Sequence, residues 1–349
     1  MFMRVRLPRS RAVPANRLMA WVCSGLMLAA APLSPAWAQT EAEAAEARNW
    51  LLRLHDAAHN RSFEGTFVIG SGNRSTSLRV AHYCDGRNQY ERIESLDGEQ
   101  RIAFRQNDVV QTVWPERRTV VVEQKREGNA FPQLLKGHED RIVEFYDLAR
   151  VGGDRVAGLE ADVLRLNPRD AYRYGWRLWA EKSTGLLLRA EVLAGNNQIL
   201  EWSSFSNVVI GPRPSLDSVQ LPRAKVEGFR VVQSPVLPAD MAREGWAIAE
   251  TPPGFRFVRA VKRSAIAADA ARGQGGESRV LQAIYSDGVT FVSVFVEPYG
   301  ENAQRKELLM TLGATHTLTR RQGDWWITVV GDVPAVTLRW FASRLQRED

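Results

Sequence analysis

The sequence predicts an α+β protein: one strongly curved antiparallel sheet, a half-barrel with helices on one side, followed by a smaller α+β domain. Three observations predict it. From Phe63 onward, apolar and polar residues alternate in short runs separated by turn signals, as in an antiparallel meander. Helical spacing appears only in a few stretches that flank those runs. A stretch at 211–235, rich in proline over its first two-thirds and with little periodicity, divides the patterned chain in two.

The first 38 residues stand apart from this fold. Arg4, Arg6, Arg9, Arg11 and Arg17 form a basic start, and Leu18 to Ala31 is an apolar run. Pro32, Pro35 and the small-x-small Ala36-Trp37-Ala38 follow, which completes a secretory signal with cleavage expected after Ala38. The run is too short for a spanning helix, which needs about 20 residues. Bulky Trp21 and Val22 before Cys23 argue against lipoprotein processing. The expected mature chain is therefore 311 of 349 residues, large enough for two cores. The full chain has formal charge +6, but five arginines and no acid lie in the leader, so the remainder carries +1. That balance excludes the strongly basic face of a nucleic-acid binder. Cys84 is then the one remaining cysteine, so no internal disulfide forms; with Val80, Tyr83 and Tyr90 around it, it reads as a buried strand residue.

The larger domain is expected over 39–210. Residues 42–58 read as an amphipathic helix through Trp50, Leu51, Leu54, Ala57 and Ala58. His55 and His59 on it are four apart but lack a third ligand, so they read as a polar face, not a metal site. Strands are expected at 63–69, 76–84, 88–95, 100–106 and 109–114, with turns at Gly72-Asn73, Asp85-Gly86, Asp97-Gly98 and Asn107-Asp108. A helix is expected near 139–149 through Ile142, Val143, Phe145, Tyr146 and Leu148. Strands follow at 156–166, 172–180, 186–193 and 199–205, two of them joined by the turn Lys182-Ser183-Thr184-Gly185.

The 211–235 stretch is read as the interdomain linker, and the smaller domain as 236–349. Its strands are expected at 255–262, 279–286, 289–296, 314–320 and 325–331. A terminal helix is expected after Asp332, with Pro334 in its first turn. The Ala/Gly-rich 264–278 reads as a loop.

Catalytic signatures are missing. The sequence contains no Gly-x-Ser-x-Gly elbow, no His-Glu-x-x-His and no phosphate-cradling loop, and its five histidines show no triad spacing. No cofactor is implied. The positive signal is aromatic: in the strand from Tyr172, residues Tyr172, Tyr174, Trp176 and Leu178 face one way, and Arg173, Gly175 and Arg177 the other. Phe67, Ile69, Trp114, Tyr172, Tyr174, Trp176 and Leu188 are candidates for the concave face of the sheet. Periodicity leaves two readings of that face open, a filled core or a cavity for an acyl chain. A buried methylene contributes about 0.8 kcal/mol, so a 14-carbon chain offers roughly 10 kcal/mol gross. Arg173 and Arg177 are candidates for a phosphate or carboxylate head group at the rim.

Several segments together resemble the RseB/MucB family of periplasmic sigma-E regulators. They are Phe63-Glu64-Gly65-Thr66-Phe67, Arg155-Val156-Ala157-Gly158, Pro168-Arg169-Asp170, the run Tyr172 to Trp179 and Thr184-Gly185-Leu186-Leu187-Leu188. In the smaller domain they are Ser286-Asp287-Gly288-Val289, Ser293-Val294-Phe295-Val296, Gly313-Ala314 and Val329 to Pro334. The likeness implies a periplasmic, non-enzymatic protein whose larger domain is similar to the lipoprotein carrier LolA. It also implies binding to the periplasmic part of an RseA/MucA-type anti-sigma factor, shielding of that partner from site-1 proteolysis, and release by lipid signals such as lipopolysaccharide. Asp287 becomes a candidate partner contact, and self-association is left open. A periplasmic lipid or lipoprotein carrier and an envelope enzyme are the alternative readings. The second domain argues against the first and the missing motifs against the second.

Overall fold

The computed structural model describes residues 41–124, 139–211, 215–264, 279–300 and 306–348. The expected leader and its cleavage site, and the loop at 264–278 apart from Ser264, lie outside these residues. Helix α1 (Glu41–Asn60) precedes six strands: β1 (Phe63–Ser71), β2 (Arg74–Cys84), β3 (Gln89–Ser95), β4 (Ile102–Gln106), β5 (Val109–Trp114) and β6 (Thr119–Gln124). Helix α2 (Glu139–Phe145) leads into β7 (Tyr146–Val156), β8 (Leu159–Pro168), β9 (Gly175–Glu181), β10 (Leu187–Leu193) and β11 (Ile199–Ile210). The short helix α3 (Leu216–Val219), a 3-10 turn (Arg223–Val226) and β12 (Arg230–Ser234) occupy the stretch read as a linker.

These strands form one twelve-stranded sheet in the order β12-β6-β5-β4-β3-β2-β1-β11-β10-β9-β8-β7. Every pair is antiparallel except β12 on β6. Strand β1 therefore sits mid-sheet, and Phe63 pairs with His82 on one side and Ile210 on the other. Where β11 bulges against Thr66 and Phe67, the Asn207 carbonyl comes so close to Gly65 that a Cβ there would collide with it.

The smaller sheet contains β13 (Val236–Ala239), β15 (Arg256–Ser264), β16 (Arg279–Ser286), β17 (Phe291–Pro298), β18 (Leu308–Leu312), β19 (Thr315–Gln322) and β20 (Trp325–Gly331), in the order β13-β15-β16-β17-β20-β19-β18. Helix α4 (Ala335–Arg344), entered through Pro334 as its N-cap, packs Leu338 and Phe341 onto Val292, Val294, Ile327 and Val329. A two-stranded ribbon joins β14 (Trp246–Ile248) to β21 (Leu345–Arg347). The α+β organisation expected from the sequence is thus observed, with one large sheet and one smaller one.

Four local expectations are corrected. The helix expected over 139–149 stops at Phe145: Tyr146 and Leu148 are strand residues of β7, buried at alternate positions with Asp147 between them. Residues 156–166 are not one strand, because Ala157 and Gly158 turn at φ 50° and 81° between β7 and β8. Strand β9 starts at Gly175 and not at Tyr172, since Arg169 to Arg173 form a bend. The Asp170 carboxylate holds that bend, accepting the Tyr172 N–H at 2.9 Å and the Arg173 Nε–H at 3.0 Å. Cys84 is half-buried at the end of β2, not buried.

The main core lies between the helices and the later strands of the large sheet. Leu51 and Leu54 of α1 and Ile142 of α2 pack on Leu164, Leu166, Leu178 and Ala190. Val289 and Ala314, in the β16–β17 and β18–β19 turns of the smaller sheet, belong to the same core, so the two parts share buried apolar surface.

Candidate functional site

A cavity of about 340 Å³ lies against one face of the large sheet. Its walls follow from period two and the register. Phe67 of β1 pairs with Leu78 of β2 and Phe205 of β11, Val80 of β2 pairs with Ile93 of β3, and Val192 of β10 pairs with Trp176 of β9. Residues that face each other across strands share a sheet face, and all of these line the cavity. Ile69 also lines it and is 41% exposed, so the cavity opens there. Phe67 meets Phe205 edge to face, with ring centroids 4.9 Å apart.

Both ends of the cavity are polar. At one end, Arg105, Glu91 and His82 form a cross-strand row, each paired with the next in register. Arg105 Nη1 lies 3.9 Å from the Glu91 carboxylate, and its Nε–H donates to the Asn107 carbonyl at 2.9 Å. Burial pushes the Glu91 carboxyl up despite the Arg105 charge. His82 stacks on Phe63, and its Nδ1 lies 2.9 Å from the Arg61 carbonyl. A carbonyl only accepts, so Nδ1 carries the proton and Nε2 is an acceptor. Burial lowers the His82 pKa, which keeps the ring neutral at pH 7. At the other end lie Glu201 and Asp332. Glu201 accepts the Ala314 N–H at 3.1 Å, and Asp332 accepts the Thr315 hydroxyl at 2.5 Å. Burial and then the neighbouring Asp332 push Glu201 up, while the Ala314 N–H works against them.

Of the seven apolar candidates, the structure brings Phe67, Ile69 and Trp176 to this cavity. Leu188 is fully buried in a cluster with Ala57, Phe63 and Phe205 and does not line the cavity. Trp114 lies on β5, beyond the cavity wall. Tyr172 turns to the smaller sheet's helix, edge-on to Trp340 at 5.4 Å. Tyr174 lies against His316, its hydroxyl 3.5 Å from Nδ1. The wall residues that the sequence reading missed, among them Leu78, Val80, Ile93 and Phe205, fall at alternate positions of their strands, Leu78 and Val80 in β2, Glu91 and Ile93 in β3, Ser203 and Phe205 in β11. Only the β2-β1-β11 order shows that they meet.

The arginines proposed for a head group are placed elsewhere. Arg177 lies 3.1 Å from Glu191, which also takes Arg189 at 2.5 Å. Arg173 has no side-chain exposure and connects the two sheets. Its Nη1 lies 2.8 Å from Asp287 Oδ2, its Nη2 donates to the Pro253 carbonyl, and its guanidinium stands 4.7 Å over the Phe145 ring. Neither arginine lines the cavity. Asp287, proposed as a partner contact, is fully buried: it accepts the Tyr146 hydroxyl at 3.1 Å and, through Oδ1, the Val289 and Thr290 N–H groups. Burial, then the Asp287 charge, hold the Tyr146 hydroxyl well above its ordinary pKa. Opposite this cluster Gly254, at φ 83°, leaves room for the Phe145 ring that a Cβ would strike.

Among the described residues no cluster of histidine, cysteine and carboxylate side chains is arranged to hold a metal ion, and His55 and His59 stack on each other at 4.1 Å. No helix of the described residues is long and apolar enough to cross a membrane.

Residues 46–226 match the MucB/RseB N-terminal domain family, and residues 240–346 match the MucB/RseB C-terminal domain family. The chain is 30% identical to the sigma factor AlgU regulatory protein MucB of Pseudomonas aeruginosa, over 88% of this chain and 92% of that one. It is 25% identical to the sigma-E factor regulatory protein RseB of Haemophilus influenzae, over 85% and 90% of the two. A crystal structure of MucB in complex with MucA(peri) is similar at TM-score 0.64 and 28% identity, covering 87% of this chain and 99% of that one. With both sheets matched in order and over nearly their full length, the chain belongs to the MucB/RseB family.

Proposed function

We propose that this protein is a periplasmic negative regulator of a sigma-E-type factor, not an enzyme. It binds the periplasmic part of a transmembrane anti-sigma factor and shields it from site-1 proteolysis. The observation that carries this reading is the end-to-end likeness to MucB, whose crystal structure in complex with MucA(peri) is covered over 99% of its chain. In this reading the leader is cleaved after Ala38, and the mature chain works outside the cytoplasm.

The cavity gives the release signal a place to act. Phe67, Ile69 and Trp176 are the residues of the original apolar set that would meet an acyl chain. A lipid releases the partner only if it binds the free regulator better than the complex, and each tenfold difference amounts to about 1.4 kcal/mol. A route for that coupling lies at the cavity mouth. Glu201 of the large sheet and Asp332, just after β20 of the smaller one, line it together, and Glu201 holds the Gly313-Ala314 turn of the smaller sheet. The carrier reading needs one sheet and a cavity. It leaves the shared core of Val289 and Ala314 without a purpose.

The test is titration calorimetry of the chain from Gln39 with the periplasmic segment of the anti-sigma factor encoded beside it, with and without lipopolysaccharide. Tight binding that lipid weakens supports the regulator. Absence of binding in both conditions moves the protein to the carrier class.

A further inference from the structure

A second cavity, of about 790 Å³, lies on the opposite face of the large sheet. On β3 and β4 the alternation is plain: Gln89, Glu91 and Ile93 line the first cavity, and Tyr90, Phe104 and Gln106 line the second. The register sets its floor. Tyr90, Gln106, Val109 and Gln124 pair one to the next across β3, β4, β5 and β6, as a single polar row interrupted by one valine. Phe104, Gln111 and Val122 pair as the neighbouring, more apolar row. The roof comes from the segment between the two sheets. Its Leu221 and Val226 pack with Phe104 and Val120 in one apolar cluster, which fixes it above the floor.

We propose that this second cavity binds a short, extended, uncharged peptide of aliphatic residues, contributed by another chain and laid across β3 to β6 beneath the segment that joins the two sheets. The polar groups carry the argument. The side-chain amides of Gln106, Gln111, Gln124 and Gln220, all at the cavity, have no hydrogen-bond partner among the described residues. Neither has the hydroxyl of Tyr90, whose ring is buried. A carboxamide offers a donor side and an acceptor side, the same pair that a peptide group presents. A carboxylate or phosphate would use the donors alone, and a hydrocarbon would use neither. The two charged residues at the cavity, Arg105 and Asp108, cancel, and Arg105 is already held by Glu91 and by the Asn107 carbonyl, so no ion is called for. The spacing fits as well. From Tyr90 to Gln124 is three strand spacings, about 14 Å, the reach of about four residues of extended chain. Successive side chains of such a chain point alternately to opposite sides, here to the Phe104 and Val122 floor and the Leu221 and Val226 roof. Val109 and Val231 at the cavity are 37% and 58% exposed, apolar surface that a bound aliphatic peptide would cover. The inference is independent of the acyl-chain reading, which concerns the other face of the sheet.

The experiment is equilibrium dialysis of the chain from Gln39 against radiolabelled acetyl-Ala-Val-Ala-Val-amide, a probe with no charge and no attached dye. Saturable uptake of one peptide per chain is expected. Acetyl-Asp-Val-Asp-Val-amide is expected to bind at least about tenfold more weakly, since the walls offer its carboxylates no cation. The double variant Gln106→Leu/Gln124→Leu changes two exposed positions, and its melting temperature is followed to confirm folding. It is expected to lose at least about tenfold in affinity, roughly the effect of two neutral hydrogen bonds. Absence of saturable uptake up to about 1 mM peptide, the weak end of specific binding, overturns the proposal. So does a folded double variant that binds as well as the unmodified protein, or equal binding of the acidic peptide. Uptake that decanoate displaces overturns it too, because the peptide is then in the first cavity.

Discussion

Removing either partner of the buried Arg173–Asp287 pair should destabilise the protein, and by unequal amounts. Arg173→Met leaves Asp287 fully buried with one side-chain donor, the Tyr146 hydroxyl, beyond the turn N–H groups on its other oxygen. Asp287→Asn keeps the Oδ1 acceptor for Val289 and Thr290, and Arg173 retains the Asp170 carboxylate at 3.0 Å, which is partly solvated. Breaking a buried pair costs about 3–5 kcal/mol because the survivor is stranded. Arg173→Met therefore belongs near 5 kcal/mol and Asp287→Asn near 3 kcal/mol or below, given the second carboxylate. Replacing both by Met and Leu removes the stranded charge and should recover much of either loss, less the two lost turn bonds at about 1 kcal/mol each. The assay is urea unfolding followed by tryptophan fluorescence, with the single and double variants forming one cycle. Single losses below about 1 kcal/mol, or a larger loss for Asp287→Asn than for Arg173→Met, would refute the reasoning. Because Asp287 is buried, a folded Asp287→Asn protein should also bind the anti-sigma segment normally unless the relation between the two sheets has changed.

Three further outcomes are expected. Glu181 accepts four hydrogen bonds from Ser183 and Thr184, and although burial opposes it, they hold the carboxyl at about 2 against an ordinary 4.5. Its contribution is present above about pH 4.5 and is lost as pH falls toward 2, so the stability gap between wild type and Glu181→Gln should close over that window; a gap constant down to pH 3 would contradict this. Gly313→Ala puts a Cβ at φ 60° against Glu201 and Ser71, and should lower stability by more than about 1 kcal/mol in the same urea assay, whereas Gly323→Ala, with φ 58° and open space, should cost less. Trp176→Asp buries a carboxylate in the main core and at the cavity wall, so both the melting temperature and the uptake of the apolar fluorescent probe N-phenyl-1-naphthylamine should fall; normal melting together with normal uptake would remove Trp176 from the cavity's role.

Most of the fold was legible because its strands alternate in short runs. Strands β2, β3, β5, β16 and β20 lie within a few residues of the expected spans. The errors cluster where a pattern serves two structures. Ile142, Val143, Phe145 and Tyr146 fit a helix, yet the chain leaves the helix at Phe145 and continues with period two through Tyr146 and Leu148. Tyr172 and Tyr174 alternate like a strand, but Asp170 captures the backbone N–H and the Arg173 side chain in a bend, and that local bond redirects both rings toward the smaller sheet. The cavity was only partly legible, for a different reason. Phe67 and Trp176 stand out as large residues, whereas Leu78, Ile93 and Phe205 become wall residues only through cross-strand neighbours far away in sequence. The roles of Arg173 and Asp287 had no signal at all, since a charge on a strand edge or in a turn reads as solvated until its partner is known.

The place of β1 has a consequence for how the protein is made. Its pairing with β2 can form as soon as both strands exist, but its other edge waits for β11, with Phe63 meeting Ile210. Until then the apolar face of β1 and β2 has no covering strands on one side, and an open edge of this kind invites pairing with other chains. The wall formed by Phe205, Val192 and Trp176 arrives with the same late closure. A shortened chain ending before β11 should therefore have no cavity and should aggregate, and folding of the large sheet should be slow, because both β1 with β11 and β6 with β12 pair across more than a hundred residues. Completion of the sheet and formation of the cavity are a single event, so a failure to complete the large sheet and a loss of the cavity would be one and the same lesion.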